Sequence, residues 1–113
     1  MAISVQAPRI RALRSRLGLS QESFSRALDV STRSVERWEA KGASTEDGET
    51  IRRVAALEEI SRLTNEVYGA DVESFMRTPR RSLGMRTPKE ALVRGDLEAV
   101  RQVLIGSLGG DWA

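Results

Sequence analysis

The feature of this sequence that most constrains its fold is a pair of short amphipathic helices joined by a tight turn. Ser20 and Ser31 stand where helix N-caps are expected, because a serine hydroxyl can accept a backbone N–H from the first turn of a helix. Between them lies Asp29, and aspartate is one of the few non-glycine residues that tolerate a positive φ. This spacing predicts helices over about residues 21–28 and 32–41, arranged as a helix-turn-helix.

The apolar residues of the two helices recur at helical spacing and should form a small shared core. They are Phe24, Ala27, Leu28, Val30, Val35 and Trp38. Such a core holds the second helix rigid, so that its N-terminal half can enter a major groove of DNA. Trp38 is therefore predicted to be a core residue and not a ligand platform.

The rest of the chain also has helical signals. Pro8 suits a first helical turn and Gly18 suits the position after a helix end, which predicts a helix over about residues 8–17. The stretch 43–48 reads as a polar loop, and no segment shows the period-two pattern of a strand. The predicted fold is all-α, with an N-terminal helix-turn-helix bundle followed by a small helical module.

The second half is predicted to contain one long helix and several short ones. The long helix should begin in the acidic segment 46–49 and end at Tyr68, with apolar residues on more than one face, so that it packs on both sides. Shorter helices are expected at 70–77, after Thr87 as N-cap, and after Asp96.

Charge is unevenly placed in this chain of 113 residues with net charge +2. Residues 1–42 contain eight basic and four acidic residues. A basic region on a nearly neutral body favours a local polyanion-binding face, and a solvated arginine-rich helix surface is the alternative.

We expect a division near residue 65 into domains of residues 1–65 and 66–113.

The residue types that are absent argue against several classes of function. The chain contains no cysteine and no histidine, which excludes disulfides, the usual zinc sites and the commonest proton-transfer side chain. No serine stands beside an evident base, so we expect no enzymatic activity and no cofactor. No apolar run reaches the roughly 20 residues of a membrane span, and no signal peptide is apparent, which predicts a cytoplasmic protein.

The segment Leu17–Gly42 resembles the Xre helix-turn-helix of phage-repressor-like proteins. In that family a glutamine and an acidic residue or second glutamine follow the N-cap serine, as Gln21 and Glu22 do here. The recognition helix ends in an aromatic–acidic pair, like Trp38-Glu39 here. The turn, usually Leu-Gly-Val in the family, is Leu-Asp-Val in this sequence.

This resemblance implies DNA contacts at the start of both helices. Gln21 would brace the first of them on a phosphate or base. Arg37 lies one turn after Arg33, and arginine reads guanine in a bidentate manner. The residues that open the recognition helix are Ser31, Thr32, Arg33 and Ser34. The alternatives are a solvated helix face or a module that only dimerises. The arginines of the first helix are expected to be mostly solvated.

The second half resembles the toxin-binding domain of the Xre–MbcA–ParS antitoxin family over roughly residues 58–110. In that family an aromatic–aliphatic pair precedes a proline, as Phe75-Met76 does here, and a Leu-Gly pair leads to a second proline, as Leu83-Gly84 does. Two positions depart from the family pattern: Phe75 stands where tryptophan is common, and Met85 where glycine is common. The two modules stand in the order typical of the family.

The resemblance implies an antitoxin that binds a RES-domain toxin, an enzyme that consumes NAD, and blocks its active site. It also implies repression of its own operon through the helix-turn-helix. We expect a homodimer that places two recognition helices in successive major grooves, so the operator should be palindromic. The matching C-terminal segment is Leu104–Ala113, with Ser107, Leu108, Asp111 and Trp112 as the expected plug residues. A frayed terminus is the alternative for this segment. A stand-alone transcriptional regulator is the alternative for the whole chain.

Four arginines flank the two prolines of this second pattern: Arg77, Arg80, Arg81 and Arg86. We interpret them as part of a solvated loop. Contact with an acidic toxin surface or with DNA is the alternative.

Overall fold

The computed structural model describes residues 3–108, which form seven α-helices and one short pair of strands. In chain order the elements are β1 (Ile3–Val5), α1 (Ala7–Arg16), α2 (Gln21–Leu28), α3 (Thr32–Lys41), β2 (Ala43–Thr45), α4 (Gly48–Tyr68), α5 (Val72–Arg77), α6 (Pro88–Val93) and α7 (Leu97–Leu108). Short 3₁₀ turns lie at Gly69–Asp71 and Arg81–Leu83. The prediction of an all-α fold is confirmed, and the predicted bounds of α2 and α3 agree with the structure.

Capping residues explain where these helices begin and end. Ser20 and Ser31 each accept the backbone N–H of the residue three positions on, at 3.0 and 3.1 Å. Asp29 ends α2 in the left-handed conformation, with φ 58°. Thr87 and Glu90 form a reciprocal capping box at the start of α6. These local interactions account for the accuracy of the predicted helix ends.

The strand pair corrects the expectation of a polar loop at 43–48 and of a chain without strands. β1 pairs antiparallel with β2, with Ser4 opposite Ser44. Each strand has three residues, which is too short to show a period-two pattern. Gly42 leaves α3 with φ 87°, and a Cβ there would lie 3.0 Å from the Val5 carbonyl oxygen. The pairing therefore depends on a close contact between distant segments, which local pattern does not reveal.

One hydrophobic core joins the helix-turn-helix to the second half of the chain. α4 packs against α1 and α2 on one side and α7 on another, and α2 also contacts α6. Fully buried side chains come from both halves and include Phe24, Leu28, Leu57, Ile60, Phe75, Leu92 and Leu104. Trp38 is buried, as predicted. The division into residues 1–65 and 66–113 stays a prediction, and α4 crosses that boundary.

A bidentate ion pair fixes α3 against α1. Arg14 Nε and Nη2 donate to the two carboxylate oxygens of Glu39 at 2.7 and 2.9 Å, and Nη1 donates to the Leu19 carbonyl oxygen at 3.1 Å. The Glu39 side chain is only 6% exposed. The Arg14 guanidinium lowers the pKa of Glu39. Among the arginines of α1, Arg14 is thus a structural residue and not a solvated one, because α3 places a carboxylate beside it.

Replacement of Glu39 tests this ion pair. Glu39→Gln should lower the free energy of unfolding by about 2–4 kcal/mol, because it leaves the partly buried Arg14 charge without its counter-ion. Urea denaturation at neutral pH measures the change. Glu36→Gln removes an exposed carboxylate from the same helix and should change stability by no more than about 0.5 kcal/mol.

The same pair predicts a pH dependence. The pKa of Glu39 is lower in the folded chain than the usual value of about 4.3, so its contribution to stability is present above that pH and is lost as pH falls through the folded-state pKa. Between about pH 5 and about pH 3, Glu39→Gln should therefore lose less stability than the wild type. Equal acid sensitivity of the two proteins would contradict this role of Glu39.

Candidate nucleic-acid and partner-binding sites

Five of the six predicted DNA-contacting residues lie at the start of α3. Ser31 is the N-cap, the residues Thr32, Arg33 and Ser34 form the first turn, and Arg37 follows one turn later. The side chains of Arg33 and Arg37 are exposed. Neither forms an ion pair with any residue in the range 3–108. Both guanidinium groups are therefore free, within this part of the chain, to meet a phosphate or a base edge.

Polar contacts hold the start of α3 against α2. The Thr32 hydroxyl lies 3.2 Å from Ser25 Oγ, and Ser25 is buried and donates to the Glu22 carbonyl oxygen at 2.6 Å. Thr32 thus faces α2, while Arg33 on the same turn faces solvent. A contact of Thr32 with DNA stays a prediction.

The sixth predicted DNA-contacting residue, Gln21, lies at the first position of α2 and is half-buried. Its amide lies close enough to the Glu39 carboxylate to lower the pKa of Glu39, more weakly than Arg14 does. Sequence reasoning missed this cluster, because Arg14, Gln21 and Glu39 belong to three different helices.

The predicted toxin-binding residues that the structure describes lie at the end of α7. The Ser107 hydroxyl donates to the Val103 carbonyl oxygen at 3.1 Å, an interaction within the helix. Leu108 is 50% exposed, which is unusual for a large apolar side chain in this structure. Asp111 and Trp112 lie outside the described residues, and the toxin-binding role of all four stays a prediction.

The solvated-loop interpretation is wrong for two of the four arginines near the prolines. Arg86 forms an ion pair with Asp96 and donates from Nε to the Leu83 carbonyl oxygen at 2.9 Å. Arg80 donates from Nη2 to the Tyr68 hydroxyl at 2.7 Å and lies over the ring of Phe75. Both side chains are only partly exposed. The sequence shows no signal for the Arg80 contact, because Tyr68 ends α4, Phe75 lies in α5 and Arg80 follows α5.

A cleft of about 760 Å³ separates α1 from α4 and the 3₁₀ turn that follows α4. Its polar lining consists of arginine, glutamate, serine and asparagine side chains, and the ion pair between Arg9 and Glu58 lies across it.

Within residues 3–108, no group of acidic side chains is arranged to hold a metal ion. None of the helices in that range is long and apolar enough to cross a membrane.

Comparison with known proteins finds a match among solved structures. No protein-family model matches the chain, and no curated protein matches it. Among solved structures, a chain in the crystal structure of the M. tuberculosis MbcT–MbcA toxin–antitoxin complex matches with a TM-score of 0.68 and 25% sequence identity. The match covers 95% of this chain and 96% of that one, so it includes both the helix-turn-helix and the C-terminal helices. The chain therefore has the fold of an MbcA-like antitoxin, in agreement with its resemblance to the Xre–MbcA–ParS family.

Proposed function

We propose that this chain is the antitoxin of a toxin–antitoxin pair. In this proposal it neutralises a RES-domain, NAD-degrading toxin by blocking the active site, and it represses its own operon by binding DNA. The observation that carries the proposal is the match over 95% of the chain to an antitoxin from a toxin–antitoxin complex. A helix-turn-helix alone occurs in proteins of many functions. The agreement of the C-terminal helices is what favours an antitoxin.

The end of α7 supports a partner-binding role. Ile105 and Leu108 are two of the large apolar side chains that are exposed, at 36% and 50%. Burial of apolar side chains of this size against a partner is favourable, because it removes apolar surface from water. The sequence continues beyond them to Trp112, a residue type enriched at interface hot spots. Blocking an active site in this way requires only that the chain fill the entrance, without any catalytic group from the antitoxin.

The exposed arginines of α3 support the DNA-binding half of the proposal. Arg33 and Arg37 lie on consecutive turns of a helix whose orientation is fixed by the Arg14–Glu39 ion pair. In a dimer, two such helices would enter successive major grooves, and the operator would then be palindromic. A rigid recognition helix favours sequence reading, since the geometry of a bidentate arginine–guanine contact is demanding.

Co-expression with the product of the adjacent reading frame tests the toxin half. We expect a RES-like protein to co-purify with this chain, and cellular NAD to remain at the uninduced level only when both are expressed. Arg33→Ala is the matched control, because it should protect NAD as well as the wild type does. If nothing co-purifies and NAD never falls, the chain is a stand-alone helix-turn-helix regulator.

Truncation tests the plug. Removal of residues 109–113 should leave operator binding unchanged and impair protection of NAD, because the expected plug residues Asp111 and Trp112 are lost. Replacing the same five residues with glycine and serine controls for chain length. Full neutralisation by the truncated chain would show that the entrance is blocked by another part of the protein.

Substitutions in α3 test the recognition helix. Arg33→Ala should weaken specific operator binding by ~1–3 kcal/mol. If Arg37 contacts a phosphate, Arg37→Ala should also reduce the slope of log K against log salt concentration by about one. Fluorescence anisotropy at several salt concentrations measures both effects. Arg62→Ala, which removes a 60% exposed arginine from α4, is the control and should have little effect. An unchanged footprint for Arg33→Ala would mean that the helix reads DNA in another register.

A further inference from the structure

A second basic region lies in the half of the chain that contains no helix-turn-helix. Residues 77–94 contain six basic residues and one acidic residue. Two of these cations have counter-ions in the fold, since Arg77 pairs with Glu73 and Arg86 with Asp96. The other four form no ion pair within residues 3–108; they are Arg80, Arg81, Lys89 and Arg94. Residues 77–94 therefore carry positive charge that ion pairs within the described part of the chain do not compensate.

The Arg80 guanidinium is held in place by aromatic rings and not by a carboxylate from the described residues. Its guanidinium carbon lies 4.9 Å from the ring centroid of Phe75 and 5.8 Å from that of Tyr68, and the two rings stack at 4.6 Å. Its Nε is buried and has no hydrogen-bond partner among the described residues. The guanidinium is thus already partly desolvated and oriented, which lowers the cost of pairing it with an incoming carboxylate.

Met85 lies next to Arg80 and has a backbone conformation that is unfavourable for methionine. The turn Leu83–Arg86 is closed by a hydrogen bond from the Arg86 N–H to the Leu83 carbonyl oxygen at 3.2 Å, and Gly84 and Met85 both have φ 65°. This conformation is easy for glycine and costly for methionine. The Met85 side chain is 62% exposed, so packing within the chain offsets little of that cost. A strained and exposed apolar residue points to a role outside the fold.

The turn is bound to Arg80 through its backbone. The Met85 N–H donates to the Arg80 carbonyl oxygen at 2.8 Å, and the Arg80 N–H donates to the Arg86 carbonyl oxygen at 3.1 Å. The exposed methionine and the oriented guanidinium are therefore parts of one rigid unit. The next residue, Arg81, is exposed beside them.

We propose that this unit, consisting of Arg80, Arg81 and the turn Leu83–Arg86, is a second contact site for the toxin, separate from the end of the chain. The proposal rests on the antitoxin function proposed above. Met85 enters an apolar pocket on the toxin, and the two arginines meet carboxylates at the rim of that pocket. Methionine and arginine are both enriched in protein interfaces, and a rigid turn loses little conformational entropy on binding.

The composition of the unit favours a protein partner over DNA. Cations that contact phosphates are typically exposed side chains that reach outward, and no large apolar residue is needed among them. Here a large apolar residue that is 62% exposed lies at the centre, and one of the cations is fixed on aromatic rings. Binding of DNA by this turn is therefore the alternative, and the experiment must distinguish it from binding of the toxin.

Titration of full-length variants against the co-purified RES-like protein tests the site. Met85→Gly removes the apolar side chain and relaxes the backbone, so we expect the dissociation constant to rise at least tenfold while the melting temperature stays the same or increases. Met85→Asn, which also tolerates a positive φ, should give the same loss and guards against a specific effect of glycine. Arg81→Glu should weaken binding at least tenfold, and Arg62→Glu on α4 is its control, expected within twofold of wild type.

The outcomes separate this inference from the function on which it rests. Wild-type toxin affinity in Met85→Gly and Met85→Asn would overturn the second contact site and leave the antitoxin function intact. Weaker operator binding with unchanged toxin binding in Arg81→Glu would assign the turn to DNA and also overturn it. If the wild-type chain itself binds no toxin, both the site and the antitoxin function are wrong.

Discussion

The burial of α4 on more than one side is the constraint on which the rest of this structure depends. Leu57 and Ile60 are fully buried along it, and α1, α2 and α7 all pack against it. Two consecutive glutamates show this arrangement directly, because Glu58 pairs with Arg9 of α1 whereas Glu59 pairs with Arg101 of α7. Successive residues on a helix point about 100° apart, so adjacent carboxylates reach different neighbours. The helix-turn-helix and the C-terminal helices are thus supported by one element.

The arginines divide into those that the fold uses and those left for partners. Arg14 connects α1 to α3 through a carboxylate that is almost fully buried, and Arg53 connects α4 to the end of α2 through the Ala27 carbonyl oxygen. Loss of one partner from such an interaction is destabilising, because it leaves the other buried group unpaired. Exposed pairs within one helix, such as Arg62 with Glu66, contribute little. Arg33, Arg37 and Arg81 are exposed, and we assign each of them to a partner. Arg80 belongs to both groups, because it packs on Phe75 and is also assigned to the toxin.

A departure from the family pattern has a physical meaning at Met85. The turn requires a positive φ at that position, which explains why glycine is common there in the family that the sequence resembles. Methionine adopts the same backbone conformation only at a cost in free energy. Because its side chain is exposed, it contributes little to the core. Local rules are most often broken at functional positions, which is why this residue is central to the proposed second contact site.

The helices of the motif were predictable because their signals are local. Ser20, Ser31 and Thr87 determine helix starts through hydrogen bonds to residues three positions away, and Asp29 tolerates the conformation that ends α2. The burial of Trp38 follows from its spacing relative to Val35. The exposure of Arg33 and Arg37 could likewise be expected from the opposite helix face. By itself the sequence therefore determined the helical elements, most of the apolar core positions and the face proposed to contact DNA.

Only the tertiary structure decided which distant groups meet. The pairing of β1 with β2, the ion pair between Arg14 and Glu39, and the packing of Arg80 on Phe75 each join segments on different elements. Such contacts depend on how helix faces are oriented around α4, and side-chain periodicity along one segment contains no information about that orientation. For the same reason, the sequence placed Met85 and Arg80 in a loop, and only the folded chain brought them together as one rigid surface.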